Sequence, residues 1–110
     1  MTTTADFYDV QGRHARWLGS LQGDADPETV RGVPCGRLML EASDPIMFTD
    51  AVLDLLDVWR DEDLGHGYRP DDGWPWPWLD SGDTDWVYMF TQGRVSIVAG
   101  RAWQLTMNRR

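Results

Sequence analysis

Apolar and polar residues change their period along this chain, and each change predicts an element. Phe7-Tyr8-Asp9-Val10 and Ala15-Arg16-Trp17-Leu18-Gly19-Ser20-Leu21 are short runs of strand formers on either side of a Gln11-Gly12-Arg13-His14 turn. Trp17 and Leu21 fall on one face of the second run, so the pair reads as a hairpin. Gln22 to Pro34, punctuated by Gly23, Pro27, Gly32 and Pro34, reads as a loop. In Arg37-Leu38-Met39-Leu40-Glu41-Ala42 every second residue is apolar on one side, which predicts a third strand.

The period then becomes helical. Asp44 before Pro45 fits an N-cap followed by proline at the first helical position, where no N–H is needed. Phe48, Val52, Leu55, Leu56 and Trp59 form a stripe that Ala51 and Val58 widen. Asp50, Asp54, Asp57 and Asp61 repeat the spacing two residues out of step, about 200° around the helix. One face is apolar and the opposite one is acidic, with Gly65 and Gly67 as terminators. Further on, Trp86 to Phe90 is apolar on both faces, Thr91-Gln92-Gly93-Arg94 makes a turn, and Val95 to Ala99 returns. Gly100 reads as a bulge or strand end, Ala102-Trp103-Gln104-Leu105 as a continuing edge strand, and Asn108-Arg109-Arg110 as a frayed end. The order ββ(β)αββ predicts an α+β fold in a single domain over residues 1–110: a small antiparallel sheet with one amphipathic helix on one face.

Charge sharpens this picture. The chain carries a net charge of −8, and twelve of its acids against two arginines lie between Asp44 and Asp85. Such an acidic side disfavours phosphate-bearing nucleic acid and suits a basic protein surface. Like charges four apart on the helix are mutually unfavourable, and Asp61-Glu62-Asp63 sit where the helix dipole prefers cations. The stripe is either a solvated face or a contact surface. No apolar run approaches the ~20 residues of a membrane span, and the N-terminus lacks the pattern of a secretion signal, which predicts a cytoplasmic protein. The single cysteine, Cys35, excludes an intrachain disulfide and disfavours a thiolate zinc site.

The densest aromatic feature is Gly73-Trp74-Pro75-Trp76-Pro77-Trp78, in a chain with seven tryptophans. Each proline biases the residue before it towards extended geometry, so Trp74 and Trp76 are kept out of a helix. Two readings follow. The indoles of Trp74, Trp76 and Trp78 form a platform that anchors a partner, or they fold back as a lid on the sheet face opposite the helix.

This motif, with Ala5-Asp6-Phe7-Tyr8, Trp17-Leu18-Gly19-Ser20, Thr84-Asp85, Tyr88, Phe90, Gly93-Arg94-Val95 and Gly100-Arg101 before Trp103, resembles a group of small uncharacterised phage and prophage proteins. The likeness runs nearly end to end. It implies a setting, an accessory gene of a mobile element acting on host or rival machinery, and it transfers no catalytic residue.

Catalytic chemistry finds little support. There is no Gly-x-Ser-x-Gly elbow. His14 and His66 read as exposed loop histidines, and Cys35, next to Pro34 and Gly36, as inert. Asp80-Ser81-Gly82-Asp83-Thr84-Asp85 offers carboxylates but lacks the later bidentate glutamate of a calcium loop, so Asp83 and Asp85 are expected to bond turn amides. The sequence therefore predicts a protein without cofactor or metal, acting as a non-enzymatic binder and inhibitor of a host or competitor protein with a basic surface. Trp74, Trp76 and Trp78 would supply anchors, and Asp50, Asp54, Asp57, Asp61, Asp83 and Asp85 the steering charge. A nucleotide-like small-molecule binder, with Arg69, Arg94 or Arg101 meeting the ligand's charge, and a phage structural protein are the alternatives. A second copy covering an open sheet face is a further expectation.

Overall fold

A carboxylate caps the central helix. In the computed structural model, which describes residues 3–108 without the side chains of 104 and 106–108, Asp44 Oδ1 accepts the Met47 amide at 2.8 Å and opens α3 (Pro45–Asp61). The helix ends before Gly65: the amides of Leu64 and Gly65 both turn back to the Trp59 carbonyl, and Asp63 takes the left-handed conformation at φ 58°. The same Asp-Pro pairing opens α1 (Pro27–Arg31), where Asp26 accepts from the Thr29 amide at 3.1 Å. A short α2 (Pro34–Leu40) also begins on proline, and α4 (Gly100–Asn108) ends the described chain.

Five strands, β1 (Thr4–Gln11), β2 (His14–Gln22), β3 (His66–Tyr68), β4 (Trp86–Thr91) and β5 (Arg94–Ala99), form one sheet in the order β3-β2-β1-β4-β5. The α+β class stands, and the sheet is mixed rather than antiparallel, because β1 and β4 run parallel. That pairing follows from the connection. The chain leaves β3 at one edge and must pass β2 and β1 to reach β4, roughly 14 Å at the usual strand spacing. The tryptophan-proline segment makes this passage, between 3-10 turns at Pro70–Asp72 and Ser81–Asp83.

Three predicted elements are corrected. The segment Arg37–Ala42 is mostly α2, not a strand: Gly36, Met39 and Ala42 are buried at a spacing of three, while Leu38 is 61% exposed. Residues 102–105 belong to α4, not to an edge strand, and Gly100 is its first residue rather than a bulge. The loop from Gln22 to Pro34 contains α1, so the single helix of the sequence reading becomes four among the described residues.

α3 packs Phe48, Val52, Leu55, Leu56 and Trp59, all at most 1% exposed, against Ala5 and Phe7 of β1 and Leu18 and Leu21 of β2. A bulge between Phe7 and Tyr8 in the β1–β2 register lets Leu18 face α3 while Trp17 and Ser20 face away. On the far side Tyr8, Val10, Val87 and Met89 are covered by Trp103 of α4. Both faces of the sheet are thus occupied from within the chain. No helix among the described residues is long and apolar enough to cross a membrane.

α2 meets α1 at Gly36, where an added Cβ would lie 1.9 Å from the Val30 carbonyl oxygen. Alanine normally stabilises a helix interior relative to glycine by about 1 kcal/mol. Here Gly36→Ala is expected to destabilise by about 1–3 kcal/mol instead, as overpacking does. Urea denaturation measures this, and an unchanged or raised midpoint would contradict the packing of α1 on α2.

Candidate functional site

Alternation along β1 turns Thr4, Asp6, Tyr8 and Val10 to the face opposite α3. Asp6 is 0% exposed, and its carboxylate accepts four hydrogen bonds. Ser20 Oγ (2.5 Å) and Trp76 Nε1 (2.7 Å) donate to Oδ1; Ser81 Oγ (2.6 Å) and Thr84 Oγ1 (2.7 Å) donate to Oδ2. A second shell of donors holds these hydroxyls. Trp17 Nε1 donates to Ser20 Oγ and Trp78 Nε1 to Thr84 Oγ1, both at 3.0 Å. The Ser81 proton is committed to Asp6, so the Tyr8 hydroxyl, 2.8 Å from Ser81 Oγ, must be the donor in that pair.

The tryptophan-proline run is therefore a lid over this carboxylate. Trp76 is 9% exposed, stacks on Trp78 at 5.2 Å between ring centres and meets Tyr68 edge-on. Trp74 meets Trp17 of β2 edge-on and donates its indole N–H to the Trp78 carbonyl at 2.7 Å. Trp74 and Trp78 are half-buried, and Leu79 at the lid tip is 98% exposed. The indole N–H of each predicted anchor, Trp74, Trp76 and Trp78, is thus used inside the chain. Gly100 sits against the end of the lid, where a Cβ would approach the carbonyls of Thr84 and Ser81 to 2.0 and 2.2 Å.

Asp6, Ser81 and Thr84 were missed as a set by sequence reasoning. The available signal was a carboxylate at a face-alternating strand position, in a chain with several indole donors. The acidic turn departs from expectation: Asp80, not Asp83 or Asp85, bonds a turn amide, its Oδ1 accepting from Gly82 at 2.8 Å, while Asp85 Oδ2 accepts the amide of Thr4 in β1 at 2.9 Å. Asp83 is exposed. This turn packs against α4 and is not part of the α3 stripe. Among the described residues no group of three or more His, Cys, Asp and Glu side chains could hold a metal ion. His14 opens β2 and His66 opens β3, both exposed.

On α3, Asp50, Asp54 and Asp61 are exposed, whereas Asp57 is engaged. Arg69 grips Asp57 in a fork, Nε to Oδ1 at 3.2 Å and Nη2 to Oδ2 at 2.6 Å, and Arg60 lies 3.6 Å away. The Arg69 hydrogen bonds hold the Asp57 carboxyl below its usual range, and Asp57 in turn raises Arg69. Beside this pair lies an open groove of about 710 Å³ between the start of α2 and the second half of α3. Its walls are Val33, Pro34, Cys35, Val58 and Leu64, and Asp54, Asp57 and Glu62 bring acidic groups to it. Burial pushes the Cys35 thiol up, with Asp54 adding to the effect, so Cys35 is a wall of the groove and not an activated nucleophile.

Comparison with protein-family models, curated proteins and solved structures finds no match.

Asp6→Ala strands four donors beneath the lid and is expected to cost about 3 kcal/mol or more in urea denaturation. A loss below about 1 kcal/mol would show that the network does not hold the lid. Burial also pushes the Tyr8 phenol from 10.0 up to about 12 and raises Tyr88 in the same direction. The unfolded chain ionises these groups first, so stability complete below pH 10 falls as pH rises towards 12, by about 2–3 kcal/mol for Tyr8. Tyr8→Phe should flatten the fall, and an unchanged alkaline slope in that variant would contradict the assignment.

Proposed function

We propose that this protein is a non-enzymatic binding protein whose acidic groove between α2 and α3 receives a basic segment of a protein partner. The observation that carries this reading is the composition of the groove: apolar walls, with Asp54 and Glu62 in the lining and no arginine there. The Arg69–Asp57 fork is an internal example of how a guanidinium seats on this helix face. Asp54 and Glu62 have no ion-pair partner among the described residues. Burial of a partner's apolar side chains against Val58 and Leu64 would supply affinity, while Asp50, Asp54, Asp61 and Glu62 steer the encounter. In the setting implied by the resemblance to phage and prophage proteins, the partner is a host or competitor protein, and occlusion of its basic surface inhibits it.

The tryptophans have a supporting part in this reading. Trp76 fixes the lid, and only the outer surfaces of Trp74 and Trp78, with Leu79, are left to widen a contact. A ligand pocket walled by these indoles has less support, because their polar edges are already paired.

A peptide of alternating arginine and leucine, titrated into 15N-labelled protein, is expected to shift the amides of Val33, Cys35, Asp54, Val58 and Glu62. Asp54→Asn with Glu62→Gln should weaken binding by about three- to tenfold and reduce its salt dependence. Shifts centred on the lid, or binding indifferent to both substitutions, would contradict the reading. Retention of a host protein by wild type but not by the double variant would extend it from peptide to partner.

A further inference from the structure

One edge of the sheet carries an interaction surface independent of the groove. β4 and β5 are joined by Gln92 and Gly93, both at positive φ (53° and 78°), the two-residue turn whose flanking residues form a hydrogen-bonded pair. Thr91 and Arg94 are that pair. Hydrogen-bonded and non-bonded pairs alternate from there, so Met89–Ser96 and Val87–Val98 are bonded, and Phe90–Val95, Tyr88–Ile97 and Trp86–Ala99 are not. The N–H and C=O groups of Val95, Ile97 and Ala99 consequently point away from β4. β5 is the last strand of the sheet, so no strand pairs with these groups among the described residues, although the Ala99 carbonyl also opens the hydrogen-bond ladder of α4.

We infer that β5 pairs antiparallel with β5 of a second copy of this chain, joining two five-stranded sheets into one. The edge has none of the features that ordinarily block such pairing. Its six residues, Arg94–Ala99, contain no proline, their register with β4 is unbroken, and the sole charge is Arg94 at the end. The opposite edge strand, β3, has only three residues. With Ile97 opposite its own copy, Val95 faces Ala99 on the same side, so apolar side chains meet across the join on that face, while Ser96 faces Val98 on the other. Val95 and Ile97 are only partly buried in the single chain and lie at the margin of the core that the second copy would extend.

Charge favours the same edge. No acidic residue occurs from Trp86 to Asn108, where Arg94 and Arg101 are the only charges. α3, with its aspartates, packs over β1, β2 and β3, away from β5. Two chains of net charge −8 therefore approach with least repulsion through this side. α4 does not shield it, because the helix turns back across the sheet until Trp103 stacks on Tyr8 of β1.

Sedimentation equilibrium across the micromolar range tests the inference. Wild type is expected at twice 12.6 kDa, more so as salt rises. Ala99→Pro removes an outward N–H without touching the β4 ladder, and Ser96→Lys places a charge at the join; both should give folded monomers by circular dichroism. Should either variant misfold, amide exchange of the wild type decides. The Val95, Ile97 and Ala99 amides should become protected as concentration rises. A wild type that stays monomeric, dimers that survive both substitutions, or concentration-independent exchange at those three amides would overturn the inference.

Discussion

A single buried carboxylate ties together segments that the chain keeps far apart. Asp6 receives donors from β2, from the tryptophan lid and from the turn before β4, at sequence separations of 14, 70, 75 and 78. A carboxylate this deep costs several kcal/mol unless its lone pairs are filled, and four donors fill them. The parallel pairing of β1 with β4 and the closure of the lid are thus linked. The crossing loop delivers Ser81 and Thr84 to Asp6 only when β4 lies beside β1. Folding of this half depends on long-range closure, whereas α3 and the hairpin of β1 and β2 rest on local contacts.

The same arrangement divides the molecule's surface. Aromatic groups that would make strong anchors are turned inwards, with their indole N–H groups committed to Asp6, Thr84 and the Trp78 carbonyl. A further helix could cover this part of the far face as well, but the passage from β3 to β4 crosses only about 14 Å. Rigid Trp-Pro steps cover it with large side chains on an extended backbone. On the opposite side the α3 stripe has a surplus of charge that internal pairing does not remove. Arg69 and Arg60 neutralise Asp57, and Asp54 stays at the groove beside it. An acidic face of this kind contributes little to stability, since neighbouring aspartates repel. That cost supports the reading of the face as a contact surface.

Much of this was legible in the sequence where the signal is local. Asp44-Pro45 and the stripe from Phe48 to Trp59 specify α3 without reference to anything else. Asp26-Pro27 carries the same signal for α1, but only five helical residues follow, too few to show a period. Arg37–Ala42 misled because Leu38, Leu40 and Ala42 alternate by coincidence. Gly36, Met39 and Ala42 form the buried set, and only the contact of Gly36 with the Val30 carbonyl reveals it. Ala102 to Leu105 follows a genuine strand, and the switch to α4 depends on Gly100 fitting beneath two carbonyls of the lid. The Asp6 network was invisible for the same reason. Its partners are brought together by topology, and a parallel β1–β4 pair leaves no mark in either strand. Both readings of the tryptophan motif were open because extended geometry serves a lid as well as a platform.

Solvent exchange of the indole N–H protons, followed by NMR in the native protein, tests the lid most directly. The account predicts that the Trp76 Nε1 proton exchanges as slowly as the core amides of β1 and β4, with Trp74 and Trp78 also protected. Rapid exchange at all three would mean that the indoles stand open to solvent, and the Asp6-centred closure would have to be abandoned.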